Sequence, residues 1–491
     1  MQQDTFIQFF HWYTPADGHL WQHFRQEAAS LKVKGITHAW LPPAFKGARG
    51  KDSEGYDVYD LYDLGEFDQK GTVATKYGPK EDYLQAIRAA QEQGLKVLTD
   101  VVLGHRTGGD GKEKIKVQRV NPDNRTEMTG APFEIEAFTQ FFFPGRKDQY
   151  SAYKWDYHSF AGVDYAANLP AEEQGIFKIL NEYGNGQWNE EVSQENGNFS
   201  FLIGDDVETR NPAVREELYN WGKWYLQVTG CNGFRIDALK HMSWRFMKNW
   251  STAMKEAAGK DFTMIGEYWS PDNLPEMLDY LDKVENSISL FDAPLHHNFY
   301  EVSKGERELW KVYDNTLTAA RADKSITIVE NHDTQPCQTL ESPVEAWFKP
   351  LAYGCILLRA QGVPCIFYPD LYGAQYRDNG CDVTIEKVAV LEKLLELRKD
   401  YAYGEQEDYF AAAGVIGWVR RGDAGAPGSG CAVVLSSSEQ GGNINMHMGK
   451  AFAGKTFMNF LNPLQELVLD AEGNAVFYVD QRGIAVWVPK R

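Results

Sequence analysis

The amino-acid sequence predicts a (β/α)8 barrel, with a subdomain inserted after its third strand and a small all-β domain at the C-terminal side. Short apolar runs alternate with helical stretches before residue 103 and again after residue 207, as expected for βα units on a parallel sheet. The runs number eight, which is the count that closes a barrel of this type. After about residue 391 the pattern changes to short alternating strands separated by turns that contain glycine.

Each barrel element follows from an apolar run or a helical period bounded by turn residues. The predicted strands, in chain order, are 6–10, 38–41, 96–102, the run that starts at Gly233, 263–266, 288–291, 326–329 and 363–368. The clearest predicted helices are 21–34, 83–93 and 212–228. Residues 1–103 and 207–391 are therefore assigned to the barrel.

Residues 104–206 break this rhythm. The stretch is irregular and aromatic, and a structureless loop of that length is uncommon in a compact protein. We therefore predict an irregular inserted subdomain over 104–206. Residues 392–491 are expected to form a Greek-key-like β-domain, with strands at 415–419, 431–435, 476–479 and 484–488.

Composition argues against several classes of function. The formal net charge of −19 disfavours a nucleic-acid partner, because Lys and Arg provide most of the affinity for phosphates. No apolar run approaches the length of a membrane span, and the N-terminal residues lack a basic, apolar leader, so we expect a cytoplasmic protein. The six cysteines have no paired spacing, which indicates free thiols rather than disulfides or a zinc site.

Charged residues stand where the predicted barrel strands end. Active sites of such barrels are built at the C-terminal ends of the strands. Four carboxylates, two histidines and one arginine would meet there, and one arginine cannot neutralise four carboxylates, so a purely structural role for the set is disfavoured. In chain order the residues are Asp100, His105, Arg235, Asp237, Glu267, His332 and Asp333.

Two of these carboxylates are predicted to lie in opposite environments. Arg235 and Asp237 are two residues apart on a strand and share one face, so the guanidinium would keep the carboxylate ionised. An isolated pair of this kind is more often structural, but its neighbours favour a nucleophile. Glu267 precedes Tyr268 and Trp269, and a crowded apolar setting raises the pKa of a carboxyl group towards that of a useful acid.

Four motifs together resemble the alpha-amylase family, glycoside hydrolase family 13. They stand in the family's order as DVVLGH at 100–105, GFRIDALKH at 233–241, GEYW at 266–269 and VENHD at 329–333. The stretches 55–67 and 401–404 resemble the liquefying bacterial and intracellular branch, and the resemblance covers essentially the whole chain. It implies that Asp237 is the nucleophile, Glu267 the general acid/base and Asp333 a third carboxylate that stabilises the transition state.

The resemblance also implies a set of substrate contacts. They are Tyr56, His105, Arg235, Lys240, His241, Trp269 and His332. Asp100 is expected to orient Arg235 or His105 rather than to act on the substrate. For two of these residues a structural role stays open: Tyr56 could be a tyrosine of the hydrophobic core, and Lys240 a solvated surface charge.

The expected activity is endo-hydrolysis of α-1,4-glucosidic bonds in starch, glycogen or maltooligosaccharides, with retention of configuration. One alternative is a maltooligosaccharide-forming amylase or a transglycosylase, which would use the same catalytic groups. Another is a catalytically inactive glucan-binding relative, but such relatives lose a catalytic carboxylate, and this chain keeps all three. We expect a monomer whose partner is an α-glucan.

The resemblance further implies a calcium site between the insert and the barrel, and here the sequence departs from the family pattern. Family ligand positions are occupied by Gly104, Ala161, Asn189 and Ser200. Only Asp206 and the backbone carbonyl of His241 match, and calcium needs more oxygen ligands than that. Substitutes could come from Asp205, Glu208, Glu190 or Glu191. We expect that no cofactor is required and that Arg106 fills the cation position.

Overall fold

The computed structural model describes residues 3–259 and 261–490. Eight parallel strands close into a barrel, each paired with its neighbour in chain order and the eighth with the first, which confirms the predicted fold. The strands are β1 (Phe6–Gln8), β2 (His38–Leu41), β3 (Lys96–Val101), β4 (Gly233–Ile236), β5 (Thr263–Gly266), β6 (Ser289–Phe291), β7 (Ser325–Ile328) and β8 (Val363–Phe367).

Helices cover the outside of the barrel, and their ends follow local rules. The helix Pro212–Thr229, for example, begins where the Asn211 side chain accepts a 2.9 Å hydrogen bond from the backbone N–H of Ala213. It ends at Gly230, which has a φ of 60°, the left-handed conformation that glycine adopts freely. The helices are Leu20–Val33, Lys80–Glu92, Pro212–Thr229, Trp244–Ala258, Leu274–Lys283, Ala293–Lys304, Leu317–Ala320, Lys349–Leu357, Tyr368–Tyr372 and Leu391–Asp400.

The inserted subdomain is not irregular, so this part of the prediction is wrong. It forms a six-stranded sheet whose two longest strands make a hairpin. Along the first of these, exposed Lys112, Lys114 and Lys116 alternate with buried Ile115 and Val117. A strand with one solvent-exposed face has no continuous apolar run, which explains why this strand was not predicted from the sequence. In sheet order the strands are His105–Arg106, Asp205–Val207, Phe160–Val163, Phe177–Ile179, Gly111–Val120 and Met128–Gln140.

The C-terminal part is all-β, as predicted, and has its own core that includes Val434, Phe457 and Trp487. The order of its larger sheet is not sequential, because Gly483–Pro489 pairs with Cys431–Ser436 on one side and Thr456–Asn459 on the other. In sheet order the strands are Gln406–Ala412, Val415–Arg420, Cys431–Ser436, Gly483–Pro489, Thr456–Asn459 and Asn462–Val468. A second pair is formed by Gly442–His447 and Asn474–Val479.

Two short pairs of strands decorate the barrel and were not predicted. Lys46–Gly47 pairs with Val58–Asp60, and Ala374–Asp378 pairs with Cys381–Ile385 in a hairpin after β8. All six cysteines are free, as predicted. Among the described residues, no helix combines the length and the apolarity needed to cross a bilayer.

Candidate active site

Arg235 lies at the centre of the residues that end the barrel strands. It is fully buried, and its Nη1 donates to Asp100 Oδ1 at 3.0 Å and to Asp237 Oδ1 at 2.7 Å. Its Nη2 donates to Glu267. One guanidinium therefore contacts three of the four predicted carboxylates, and the predicted contact between Arg235 and Asp237 is present.

Backbone geometry holds two of these carboxylates side by side. The residue after Asp237, Ala238, has a φ of 52°, an uncommon conformation for a residue other than glycine. This turn allows the N–H of Leu239 to donate to the Glu267 carbonyl at 2.8 Å. The segments that follow β4 and β5 are thereby joined next to the two carboxylates.

Asp100 is completely buried and fully engaged. Besides Arg235 it accepts hydrogen bonds from Trp40 Nε1 at 3.0 Å and from the Tyr56 hydroxyl at 2.8 Å. It is absent from the lining of the cavity that holds the other carboxylates. These contacts suit a residue that orients Arg235 and Tyr56.

Burial controls the protonation of two carboxyl groups. It raises the pKa of Glu267 from 4.5 to about 8, against the opposing charge of Arg235, and the neighbouring Asp237 charge adds to the increase. Burial likewise raises the pKa of Asp333 to about 7, again opposed by Arg235 and assisted by Asp237. Both groups are therefore available as proton carriers near neutral pH.

The two predicted histidines are buried and uncharged. Burial lowers the pKa of His105, whose Nε2 lies 2.7 Å from the Tyr56 carbonyl oxygen. Burial and the charge of Arg235 lower the pKa of His332, whose Nε2 lies 3.4 Å from Asp333 Oδ2. Neutral imidazoles can donate to one hydroxyl and accept from another, which suits binding of a sugar ring.

Three nearly parallel rings form a wall of the site. Tyr56 stacks on His332 with centroids 5.0 Å apart and on Trp12 with centroids 5.7 Å apart. Tyr56 lines the active-site cavity, so the structure does not support a simple core role. Trp12 was missed, although it follows β1 at the same end of the barrel and the rule about strand ends could have found it.

These groups line an open cavity of about 450 Å³. It contains Asp237, Glu267 and Asp333 together, with His105 and His332. The insert contributes apolar residues that sequence analysis did not identify, including Phe199, Leu202 and Ile203. A larger adjoining cavity of about 720 Å³ contains none of these three carboxylates, so all three predicted catalytic carboxylates lie in the smaller one.

Lys240 is not a solvated surface charge. Its residue is 7% exposed, and its Nζ donates to Glu195 and, at 3.1 Å, to the Trp269 carbonyl. Lys240, Glu195 and Trp269 line both cavities. Glu195 was missed, because nothing in its local sequence indicates a partner 45 residues away.

His241 stands at the junction of the insert and the barrel. Its Nδ1 lies 2.7 Å from the Phe199 carbonyl, and burial lowers its pKa to about 3. The residue lines the active-site cavity and also a small cavity on the insert side.

Comparisons with known proteins identify the family. The chain matches the family model described as "Alpha amylase, catalytic domain" over residues 29–402. It is 44% identical, over 99% of both chains, to the cytoplasmic alpha-amylase of Escherichia coli (strain K12). The chain belongs to the alpha-amylase family.

Other relatives agree with this assignment. The glucan 1,4-alpha-maltohexaosidase of Bacillus sp. (strain 707) is 40% identical, over 99% of this chain and 92% of that one. An Anoxybacillus alpha-amylase structure shares the fold, with a TM-score of 0.66 at 19% identity, covering 100% of this chain and 98% of the other. The expected class, a glycoside hydrolase, is confirmed.

The positions of the family calcium site meet around a small cavity of about 10 Å³, room for about one water molecule. Two of the side-chain oxygens there accept hydrogen bonds: Asn189 Oδ1 from the Glu191 N–H at 2.9 Å, and Asp206 Oδ2 from the Ser200 hydroxyl at 3.2 Å. In the described part of the chain, no cluster of three acidic, His or Cys residues suits a metal. The residues do not fit calcium, which needs about six to eight oxygens.

The proposed substitute ligands do not fill the gap. Glu208 lines the cavity, but its carboxylate accepts from Arg210 at 2.6 and 2.8 Å. Glu191 accepts from Ser243 at 2.6 Å and pairs with Arg245. Asp205 and Glu190 are not part of the lining.

Arg106 does not occupy the cation position, so that expectation is wrong. Its guanidinium lies 4.7 Å from the Trp155 ring and lines a different cavity, because successive strand residues point to opposite faces. A buried cation that does lie close to the calcium positions is Lys178, whose Nζ donates to the carbonyls of Ala161 at 2.6 Å and Ile179 at 3.1 Å.

Proposed function

We propose that this protein hydrolyses internal α-1,4-glucosidic bonds of starch, glycogen or maltooligosaccharides with retention of configuration. The observation that carries the proposal is the grouping of Asp237, Glu267 and Asp333 around one cavity, with Arg235 bound to the first two. Relatives named alpha-amylase that match the whole chain support the same substrate class.

The roles follow from the two environments. Glu267, kept protonated by burial, gives its proton to the glycosidic oxygen as the bond to the anomeric carbon breaks. Asp237, held by Arg235, attacks that carbon and forms a covalent glycosyl intermediate. Glu267, now ionised, removes a proton from water, which releases the sugar with its original configuration. Asp333 and the neutral histidines bind ring hydroxyls through both steps.

The stereochemical course tests the nucleophile directly. Proton NMR of the first products from a maltooligosaccharide should show the α-anomer before mutarotation. Asp237→Asn should fold normally and lose activity by several orders of magnitude, whereas the exposed Asp382→Asn should behave as the unmodified protein. Early β-anomer would refute the role of Asp237.

A maltooligosaccharide-forming enzyme is the second candidate. The observation in its favour is the 40% identity to a protein named glucan 1,4-alpha-maltohexaosidase. Chromatography of products from soluble starch over time distinguishes the two: an accumulating single oligosaccharide indicates the second candidate, and a broad early ladder indicates random endo-cleavage. An inactive glucan-binding role would be indicated by absence of reducing-sugar release, against which the complete set of carboxylates argues.

We also propose a cytoplasmic monomer that acts on α-glucans and binds neither nucleic acid nor membranes. A relative named cytoplasmic alpha-amylase and the net charge of −19 support this. Light scattering coupled to size-exclusion chromatography tests the monomer. The division into residues 1–103 with 207–391, 104–206 and 392–491 remains our proposal for the domains.

We propose that no calcium is required. Direct contacts join the insert to the barrel in its place, among them the hydrogen bonds from Ser193 N–H to the Lys240 carbonyl at 3.1 Å and from Trp244 N–H to the Glu191 carbonyl at 2.8 Å. Lys178 and Arg210 supply positive charge beside Asp206 and Glu208, and burial lowers the pKa of Lys178 to about 8. The charges of Lys178 and Arg210 oppose the increase in the pKa of Asp206 that burial and the Glu208 charge cause, so cations of the chain take over part of the role of a metal.

A further inference from the structure

A second cavity lies at the opposite end of the barrel from the catalytic groups. It has a volume of about 350 Å³ and is lined by Asp4, which precedes β1, and by Val363, which begins β8. The C-terminal domain supplies Arg420 and Asp423 to the same lining. The cavity therefore lies where the barrel and the β-domain meet.

Two buried arginines face this cavity without a carboxylate partner. Arg398 and Arg420 are each 5% exposed. Arg398 donates to three neutral oxygens, the Thr5 hydroxyl at 2.8 Å and the carbonyls of Leu357 and Asp4 at 2.7 Å each. Among the described residues, no carboxylate oxygen lies within the 4.0 Å ion-pair distance of this guanidinium.

Arg420 is held more loosely. Its Nε donates to the Gly404 carbonyl at 3.1 Å, and its Nη1 lies 3.4 Å from the Leu358 carbonyl, which is long for a hydrogen bond. It too has no carboxylate partner in the part of the chain that the structure describes. Within the described residues no hydrogen bond engages its Nη2, which can therefore bind a ligand.

A third arginine at the same domain junction, Arg359, differs because a carboxylate neutralises its charge. Arg359 binds Asp408 through both Nη atoms at 2.8 and 2.7 Å, and the charge of Asp408 helps to raise its pKa. Burial instead lowers the pKa of Arg398 to about 9; the charge of Arg420 adds to the decrease, and the charge of Asp4 opposes it only in part. Burial also lowers the pKa of Arg420. Two buried cations without an ion-pair partner within 4.0 Å among the described residues are costly, and a bound anion would offset that cost.

Two carboxylates lie at the rim, and both are exposed to solvent. The side chain of Asp4 is 57% exposed, and its Oδ1 lies 3.5 Å from the Thr37 hydroxyl. Asp423 is exposed, and its Oδ1 accepts from the Gly425 N–H at 2.7 Å. Exposed carboxylates accept hydrogen bonds from hydroxyl groups, as they do in many sugar sites.

We propose that this cavity binds a small phosphorylated sugar, with the phosphate between Arg398 and Arg420 and the sugar hydroxyls towards the rim carboxylates. Guanidinium groups bind phosphate oxygens in a bidentate manner, and the cavity volume is at the lower end of the range for small-molecule sites. A ligand held by both domains stabilises their contact through mass action. The proposal is independent of the catalytic assignment.

Calorimetric titration of the full chain tests the proposal with glucose 1-phosphate, inorganic phosphate and glucose as probes. We expect glucose 1-phosphate to bind and to raise the melting temperature, phosphate to bind more weakly, and glucose not to bind. Arg420→Gln should weaken binding about tenfold or more, as expected for loss of a charge-assisted pair. The matched control is Arg421→Gln, whose side chain pairs with Glu407 instead.

Fold controls and two kinds of negative result decide the proposal. Circular dichroism and starch hydrolysis verify the fold of each variant, and Arg420→Lys, which retains the charge but not the fork, serves if Arg420→Gln unfolds. Absence of binding by both phosphate-bearing probes at millimolar concentration would overturn the proposal. Equal affinity for phosphate and glucose 1-phosphate would overturn the part that concerns the sugar, and so would binding of glucose alone.

Discussion

Replacement of Glu267 by glutamine removes the proton donor while retaining its shape, and the structure sets the size of the effect. A carboxyl group with a pKa of about 8 is about nine-tenths protonated at pH 7, whereas one with the ordinary value of 4.5 is protonated in about one molecule in 300. Burial therefore increases the acid form by about 300-fold. General acid catalysis typically contributes about 10²- to 10⁴-fold, and we expect a loss of that order on starch.

The assay compares two substrates that differ only in their need for an acid. Starch has a poor leaving group, whereas maltosyl fluoride releases fluoride without protonation. Glu267→Gln should lose starch hydrolysis but retain most of the first turnover with the fluoride, which a fluoride electrode measures as a burst. The second step then stalls, because the amide cannot remove a proton from water.

Asp237→Asn is the matched control, since loss of the nucleophile abolishes both reactions. Equal losses on both substrates for Glu267→Gln would refute its role as the acid. Near-normal starch hydrolysis by that variant would refute the assignment of the whole site.

Further predictions concern binding, metal and pH. Trp12→Ala should raise KM about two- to tenfold with little change in kcat, since it removes one ring of the stacked wall, and exposed Trp310→Ala is the control. Excess EDTA should leave the melting temperature and activity unchanged; a decrease of several degrees that calcium but not magnesium reverses would contradict calcium independence. The value of kcat/KM should decrease as pH rises above about 8, because the acid form of Glu267 is lost as pH rises through its pKa. A decrease with rising pH that already begins near pH 5 would contradict this.

Sequence reasoning located what depends on local pattern. Each barrel strand is a short apolar run, and the groups that follow β3, β4, β5 and β7 could be placed together by the geometry of the barrel alone. The strands of the insert were not predicted because they expose one polar face, as the lysines of Gly111–Val120 show.

The remaining features that the sequence did not predict depend on contacts between residues that are distant in the chain. Lys178 reaches the carbonyl of Ala161 across 17 residues, and no spacing rule connects them. Arg106 was placed wrongly although its neighbour His105 was placed correctly, because the two point to opposite faces of one short strand. The sequence showed that residue 106 is a cation, but not in which direction its side chain points.

The strand order of the C-terminal domain has a consequence for how this protein is made. Gly483–Pro489 lies between Cys431–Ser436 and Thr456–Asn459, both of which leave the ribosome earlier. Until it arrives, the two halves of that sheet present unpaired strand edges, which can pair with other chains. Newly made chains that lack this one strand are therefore the species that we expect chaperones to protect, even when the catalytic barrel before it is already folded.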